Sequence, residues 1–447
     1  MFLFMKKNAA GFDARQQKCI SHFDGPMLVL AGPGSGKTTV LTNRVRYLTK
    51  ERGILPRNIL VITFTNQAAE EMRRRYLALT GRNTTSVTFG TFHSVFLHFL
   101  LKNETYAPYR VAERNECIKV LHHVFYMKWN GKNLHDDMAE DVYDDFGRMK
   151  NGLSVEDDLS REMFPFYQEE MERRKLMDFD DMLVLCRNLL RKDPVLLSAL
   201  RKRFRYLLID EFQDINPVQY EIVRLLSEEH QNVFAVGDDD QSIYGFRGSD
   251  PSFMRRFEKD YKNTERVYLV NNYRSTGMIV KRSLELISHN RNRYRKKLVS
   301  QRDKGTEPVI SGFPTVKEEA FYISEMVQLY EKAAEKSGYG EMKIALLART
   351  HDALNAIASR LNPYLKKRIS CMTFHSSKGL EFDVVFLGAA VEGITPEKNV
   401  TDPLELEEER RAFYVAMTRA KRYLHILYTE SNYNKKTEIS RFVKEIQ

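Results

Sequence analysis

The chain has 447 residues, more than one ordinary core serves, so two or more domains are expected. Hydrophobic residues make up 43% and charged residues 29%, which excludes a disordered or low-complexity chain. Lys and Arg number 70 against 60 Asp and Glu; the resulting +10 hints at a polyanionic partner.

The apolar runs are strand-length, so no membrane span and no membrane partner are expected. Met1-Phe2-Leu3-Phe4-Met5 is apolar but shorter than a signal-peptide core, and no basic segment precedes it. Cys19, Cys117, Cys186 and Cys371 are scattered, without metal-ligand spacing or a disulfide framework, and a cytoplasmic location follows.

In chain order, the first strand-like run is 27–30, followed by Ala31-Gly32-Pro33-Gly34-Ser35-Gly36-Lys37-Thr38 and a helical pattern. Strand, glycine-rich loop and helix start are the order a phosphate-binding loop needs. Backbone N–H groups of Gly34, Ser35 and Gly36 can surround a triphosphate at the helix N-terminus. Lys37 can reach the terminal phosphates and the Thr38 hydroxyl can hold Mg²⁺. Ala31 stands where the pattern usually has Gly, which fits if that position has an ordinary φ.

Further strands are expected at 59–63, 87–89, 206–209 and 233–236, then near 343–348, 369–374, 384–387 and 423–428. Buried strands alternating with helices predict α/β architecture with two parallel sheets. Between Ser94 and Phe204 strand-like runs give way to amphipathic helices, such as Glu169 to Leu190, which reads as a helical insertion. A break at Lys150-Asn151-Gly152 separates two of its helices. Trp129, His122 and His123 within it read as packing or surface residues.

Tyr206-Leu207-Leu208-Ile209 ends at Asp210-Glu211-Phe212-Gln213-Asp214. Carboxylates at the C-terminal end of a buried parallel strand sit where α/β sheets bind ligands. Asp210 suits Mg²⁺, and Glu211 suits orienting and deprotonating a water. The next strand leads into Gly237-Asp238-Asp239-Asp240-Gln241-Ser242-Ile243-Tyr244-Gly245-Phe246-Arg247, where Gln241 can sense a γ-phosphate. Tyr244, Phe246 and Arg247 suit base stacking and phosphate contact. Basic clusters at Arg201-Lys202-Arg203, Arg291 to Lys297 and Lys366-Lys367-Arg368 are compatible with nucleic-acid contact or with solvated surface.

These motifs, in this order, resemble a superfamily 1 DNA helicase of the UvrD, Rep and PcrA group. The resemblance extends to Phe12-Asp13-Ala14-Arg15-Gln16, with Gln16 as adenine reader. It covers the DNA-contacting Phe64-Thr65-Asn66 and Gly90-Thr91-Phe92-His93-Ser94. Asn272-Tyr273-Arg274-Ser275 is similar to a motif in which Tyr273 stacks on adenine and Arg274 reaches the γ-phosphate. In Thr373-Phe374-His375-Ser376-Ser377-Lys378-Gly379-Leu380-Glu381, Glu381 would contact ribose, and Thr373 and His375 the DNA. Tyr414 to Ala420 carries Arg419 as second arginine finger. Thr39 belongs to the nucleotide-binding set, at a place where close relatives often carry Arg.

The resemblance implies two RecA-like domains: 1–95 plus 200–270 as the first, 271–447 as the second, and 96–199 as the helical insertion. It implies ATP and Mg²⁺ as cofactors and hydrolysis where the two domains meet. It also implies 3′-to-5′ movement on single-stranded DNA, 3′-tailed duplex substrates, and protein partners in repair or replication. The second helical insertion usual in the family is missing: after Ala356 to Leu361 the chain passes through Asn362 to Arg368 directly into the Ile369 strand. Two alternatives stand beside a helicase: a translocase that strips proteins and unwinds weakly, and an ATP-gated DNA-binding subunit of a larger complex.

Overall fold

The computed structural model describes residues 11–245, 248–398, 400–432 and 435–447. These form two compact units. The first is built from the chain up to Val29, Thr38–Gly237 and Tyr244–Val267; the second from Leu30–Lys37, Asp238–Ile243 and Tyr268–Gln447. Two short segments, the phosphate loop and the turn after strand Val233–Gly237, thus pack as parts of the second unit.

The first sheet has six strands in the order Thr88–Thr91, Ile59–Thr63, Tyr206–Ile209, Val233–Gly237, Met27–Ala31, Glu265–Leu269. Ile59–Thr63 runs parallel to both its neighbours, and Tyr206–Ile209 is parallel to Val233–Gly237. The inner strands are buried throughout, which is why they read as unbroken aliphatic runs.

Between Ser94 and Phe204 the chain forms helices Arg114–Lys128, Asp136–Lys150, Asp158–Arg173, Phe179–Lys192 and Pro194–Arg203. The first three enclose a core of their own around Val120, Leu121, Phe146, Met163 and Tyr167. The Asp136–Lys150 helix ends at the Lys150-Asn151-Gly152 break, as the sequence suggests. Glu169 to Leu190, however, is not one helix. The chain turns at Lys175, whose φ is +54°, and forms a two-residue strand, Leu176–Met177. Asp178 then starts a new helix with a capping box. Trp129 stacks on Phe125 at 5.1 Å between ring centroids, His122 lies 3.3 Å from Asp136 and His123 3.8 Å from Glu170.

The second sheet has five strands in the order Val309–Phe313, Ala420–Thr429, Phe382–Leu387, Ile344–Ala348, Ile369–Thr373. Every pairing is parallel. Helices Val316–Ser337 and His351–Ala358 supply Ala320, Ile323, Val327, Leu354 and Ile357 to its core. The connection 359–368 between helix His351–Ala358 and strand Ile369–Thr373 contains only the short helix Pro363–Lys366. Among the described residues, no helix is long and apolar enough to cross a membrane.

Candidate nucleotide site and DNA-contact segments

The phosphate loop joins strand Met27–Ala31 to helix Lys37–Lys50. Gly34 and Gly36 have φ of +67° and +85°, values that disfavour any residue with a Cβ. Ala31 is absent from the positive-φ residues, so its methyl costs nothing there. Ser35 Oγ donates to the Gly32 carbonyl at 2.7 Å, drawing the loop tight. At the helix start, Thr42 and Asn43 side chains donate to the carbonyls of Thr38 and Thr39, both at 2.8 Å. Lys37, Thr38 and Thr39 are all partly buried.

Residues 272–274 hold this loop from outside. Asn272 Nδ2 donates to the Pro33 carbonyl at 2.8 Å, and the Tyr273 N–H donates to the Gly34 carbonyl at 2.9 Å. A Cβ on Gly34 would fall 2.6 Å from the Cβ of Arg274. Arg274 therefore sits against the loop. Its Nε donates to Glu381 at 2.9 Å, and Lys421 Nζ approaches the same carboxylate at 2.7 Å. Burial works against ionisation of Glu381, but Lys421 and Arg274 outweigh it and hold the carboxyl below its usual range. The ring of Tyr273 is 45% exposed and so accessible for stacking.

Gln241 is buried in the turn after Gly237, and its amide is held at both ends. Nε2 donates to Asp238, while Oε1 accepts from Arg419 Nη2 at 3.1 Å. A carboxylate only accepts and a guanidinium only donates, so the amide orientation is fixed by chemistry. Lys378 Nζ donates to the Gln241 main-chain carbonyl at 2.6 Å. Arg419 is 1% exposed and also donates to the carbonyls of Val415 and Leu380. Gln241 and Arg419, 178 positions apart in sequence, are thus in direct contact.

In the first unit, Asp210 is buried at the end of its strand, and its N–H donates to the Ile62 carbonyl. Glu211 follows with φ +51°, an uncommon conformation for a glutamate. Such strain, about 1 kcal/mol or more, persists where the surroundings over-determine it, commonly at functional positions. Here Gln213 Nε2 donates to Glu211 at 2.7 Å and to Asp214 at 3.1 Å, fixing the carboxylate's direction. Gln16 is 4% exposed and closes a capping box with Asp13, its Oε1 accepting from the Asp13 N–H at 3.2 Å.

The predicted DNA segments share a construction: polar residues cap a helix just after a strand. Thr65 Oγ1 caps helix Asn66–Thr80, and Thr91 caps helix Phe92–Leu100 with Ser94 as its capping-box partner. Thr91 Oγ1 also reaches Asn66 Oδ1 at 3.5 Å, bringing the two motifs together. Phe64, 40% exposed, stacks on Tyr244 with centroids 4.8 Å apart. His93 stacks on the exposed ring of Phe179 at 3.6 Å, and burial pushes its pKa down to about 4, so it is neutral at pH 7. In the second unit, Thr373 and Ser376 share a hydroxyl hydrogen bond of 3.0 Å and line a groove of about 580 Å³ with His351, Asn355 and Lys366. His375 opens the short 3₁₀ turn beside them. Phe246 and Arg247 lie outside the described residues.

Comparison with known proteins gives a consistent pattern. Residues 12–262 match the UvrD/REP helicase N-terminal domain model. Residues 267–364 and 362–431 match the UvrD-like helicase C-terminal domain model. The chain belongs to the UvrD/REP helicase family. The protein YjcD of Bacillus subtilis is 35% identical over 421 residues, covering 86% of this chain and 52% of its own. "ATP-dependent DNA helicase PcrA" of Staphylococcus epidermidis is 34% identical over 359 residues, covering 76% of this chain and 48% of its own. A Mycoplasma pneumoniae protein named "Probable DNA helicase" is 30% identical over 461 residues, covering 97% of this chain and 86% of its own. The chain thus spans about half the length of the first two relatives and most of the third.

For a UvrD/REP family member, the C-terminal match is informative in its form. Its two pieces meet at residues 362–364, inside the short connection 359–368. That is where the sequence places the missing second insertion. Donor chemistry fits the expected metal: Thr38 and Asp210 offer only oxygen, which suits a hard cation such as Mg²⁺. Three contributors escaped sequence reasoning. Phe179 gave no signal beyond an aromatic at a helix start. Lys378 and Asn272 stood inside recognised motifs, but their partners are carbonyl oxygens, which no side-chain pattern reveals.

Proposed function

We propose that this protein is an ATP-dependent DNA helicase or translocase that moves 3′ to 5′ on single-stranded DNA. The observation that carries the reading is the Gln241–Arg419 contact, in a unit whose residues 272–274 also hold the phosphate loop. Lys37 would neutralise phosphate charge, and Arg274 and Arg419 would stabilise the charge that develops on the transferred phosphoryl group. Glu211, its carboxylate fixed by Gln213, would orient the attacking water and take its proton. Gly34, Ser35 and Gly36 would present backbone N–H groups to the phosphates, Thr39 would follow them at the helix start, and Gln16, Tyr273 and Glu381 would serve the nucleoside. Thr38 and Asp210 would hold Mg²⁺, which supplies charge neutralisation on the β- and γ-phosphates when bound.

DNA contacts are assigned to Phe64, Thr65, Asn66, Thr91, His93, Tyr244, Phe246, Arg247, Thr373 and His375. Stacking on exposed rings is indifferent to base identity, so little sequence preference is expected. The domain division 1–95 plus 200–270, 96–199 and 271–447 is part of the same proposal, as are cytoplasmic action and protein partners in repair or replication.

A second reading, a translocase that strips proteins and unwinds weakly, is favoured by the short 359–368 connection. Strand displacement decides between them. Duplexes with a 3′ or a 5′ single-stranded tail are incubated with ATP, with and without a bound protein block. The helicase reading expects displacement of the 3′-tailed duplex alone. Removal of the block without strand displacement supports the second reading, and displacement only from 5′ tails contradicts the polarity.

A further inference from the structure

The basic run Arg291 to Lys297 is surface only in part: Arg291, Arg295 and Lys297 are exposed, while Arg293 is half-buried. Lys296 is fully buried, and its Nζ lies 2.7 Å from Asp238 and 3.0 Å from Asp240, with Asp239 also in contact. Arg293 grips Asp240 through two hydrogen bonds of 2.6 Å each. The Tyr294 N–H donates to Asp239 at 2.6 Å. The three carboxylates lie close enough together to ligate a cation, but the Lys296 ammonium stands among them. Burial opposes the charge on Lys296; Asp238, Asp240 and Asp239 overcome it and hold the ammonium protonated. The same strand of coil continues to Leu298, whose methyl would overlap a Cβ at Gly32 of the phosphate loop.

A buried ion cluster of this kind is poor evidence for stability, because desolvation consumes much of the attraction; what it does supply is a unique geometry. Here the geometry ends on one residue. Lys296 holds Asp238, Asp238 accepts from Gln241 Nε2, and Gln241 Oε1 accepts from Arg419. We propose that Lys296 and Arg293 are positioning residues for ATP hydrolysis, setting the direction of the Gln241 amide through the Asp238–Asp240 triplet. This rests on the ATP-hydrolysis reading above and adds to it two residues that touch no substrate.

The test is steady-state ATP turnover at saturating oligo(dT). Arg293→Lys keeps the charge and loses the two-pronged grip; Lys296→Met removes the charge at similar length. Each is made in the unmodified protein and in a Gln241→Ala background. Arg293→Lys is expected to lower kcat about 3- to 10-fold and Lys296→Met about 10-fold or more, with KM for ATP within about 2-fold. In the Gln241→Ala background either substitution is expected to change kcat by less than about 2-fold, since the group being positioned is gone. Losses that multiply in both backgrounds overturn the proposal, as does wild-type kcat in Arg293→Lys. If Lys296→Met does not fold, Arg293→Lys alone decides by the same criteria. Absence of turnover by the unmodified protein overturns the ATP-hydrolysis reading itself, a distinct result.

Discussion

Gln241 illustrates how far neighbours constrain a side chain proposed to act in catalysis. Replacing its amide with a carboxylate keeps the shape but sets two acceptors, Glu and Asp238, against each other in a buried site. Gln241→Glu is therefore expected to lower ATP turnover about 10-fold or more and to cost roughly 1–3 kcal/mol of stability, read by urea unfolding. Glu319 shows the opposite situation, a buried carboxyl with little to support its charge. Its Oε1 accepts one N–H, from Ala389, at 3.1 Å, and burial pushes its pKa up to about 7. Because the folded pKa is raised, the unfolded chain releases this proton first. Stability then falls as pH rises from about 4.5 to about 7, by on the order of 3 kcal/mol, and stays low above it. Glu319→Gln should raise the melting temperature at pH 8 and leave it nearly unchanged at pH 4. Lys37, Glu211 and Arg419 were legible in the sequence because their motifs are contiguous. Glu319 was not, since nothing in one helical turn tells a glutamate that faces a sheet from one that faces water.

At the scale of elements, the phosphate loop is the most constrained piece. Gly34 combines a φ of +67° with an Arg274 Cβ that would lie only 2.6 Å from any Cβ added there. Gly34→Ala is expected to cost about 1–2 kcal/mol in backbone strain and to weaken binding of a fluorescent ATP analogue at least 10-fold. The inner strands were readable as aliphatic runs. Glu265–Leu269 and Val309–Phe313 were not, because each lies at a sheet edge with half-exposed, mixed residues. The break between helices Asp158–Arg173 and Phe179–Lys192 was also missed, since no Gly or Pro marks it. The basic runs are also partly neutralised in the fold. Arg201 pairs with Glu228 and Glu229, Arg368 with Glu331 and Glu341, and Lys296 with three aspartates. Composition counts charges without their partners.

For the whole molecule, the division into units makes the two short excursions, Leu30–Lys37 and Asp238–Ile243, integral to the second one. A fragment of residues 268–447 would leave Lys296 and Arg293 without the Asp238–Asp240 carboxylates. It is expected to lack a cooperative thermal transition by circular dichroism, whereas a fragment that melts like the intact chain would contradict this. The fold class was legible from strand and helix alternation, and candidate site residues could be named from motifs; the packing of distant segments into one unit was not legible, because sequence proximity says nothing of it.

We propose that Lys37, Glu211, Gln241, Arg274 and Arg419 together turn over ATP in response to DNA. The most direct test is steady-state phosphate release with and without oligo(dT), for the unmodified protein and for Arg419→Ala. At least a 10-fold stimulation by DNA is expected in the former, and loss of at least about 100-fold in kcat with nucleotide binding retained in the latter. Equal rates with and without DNA, or wild-type turnover in Arg419→Ala, would contradict the account.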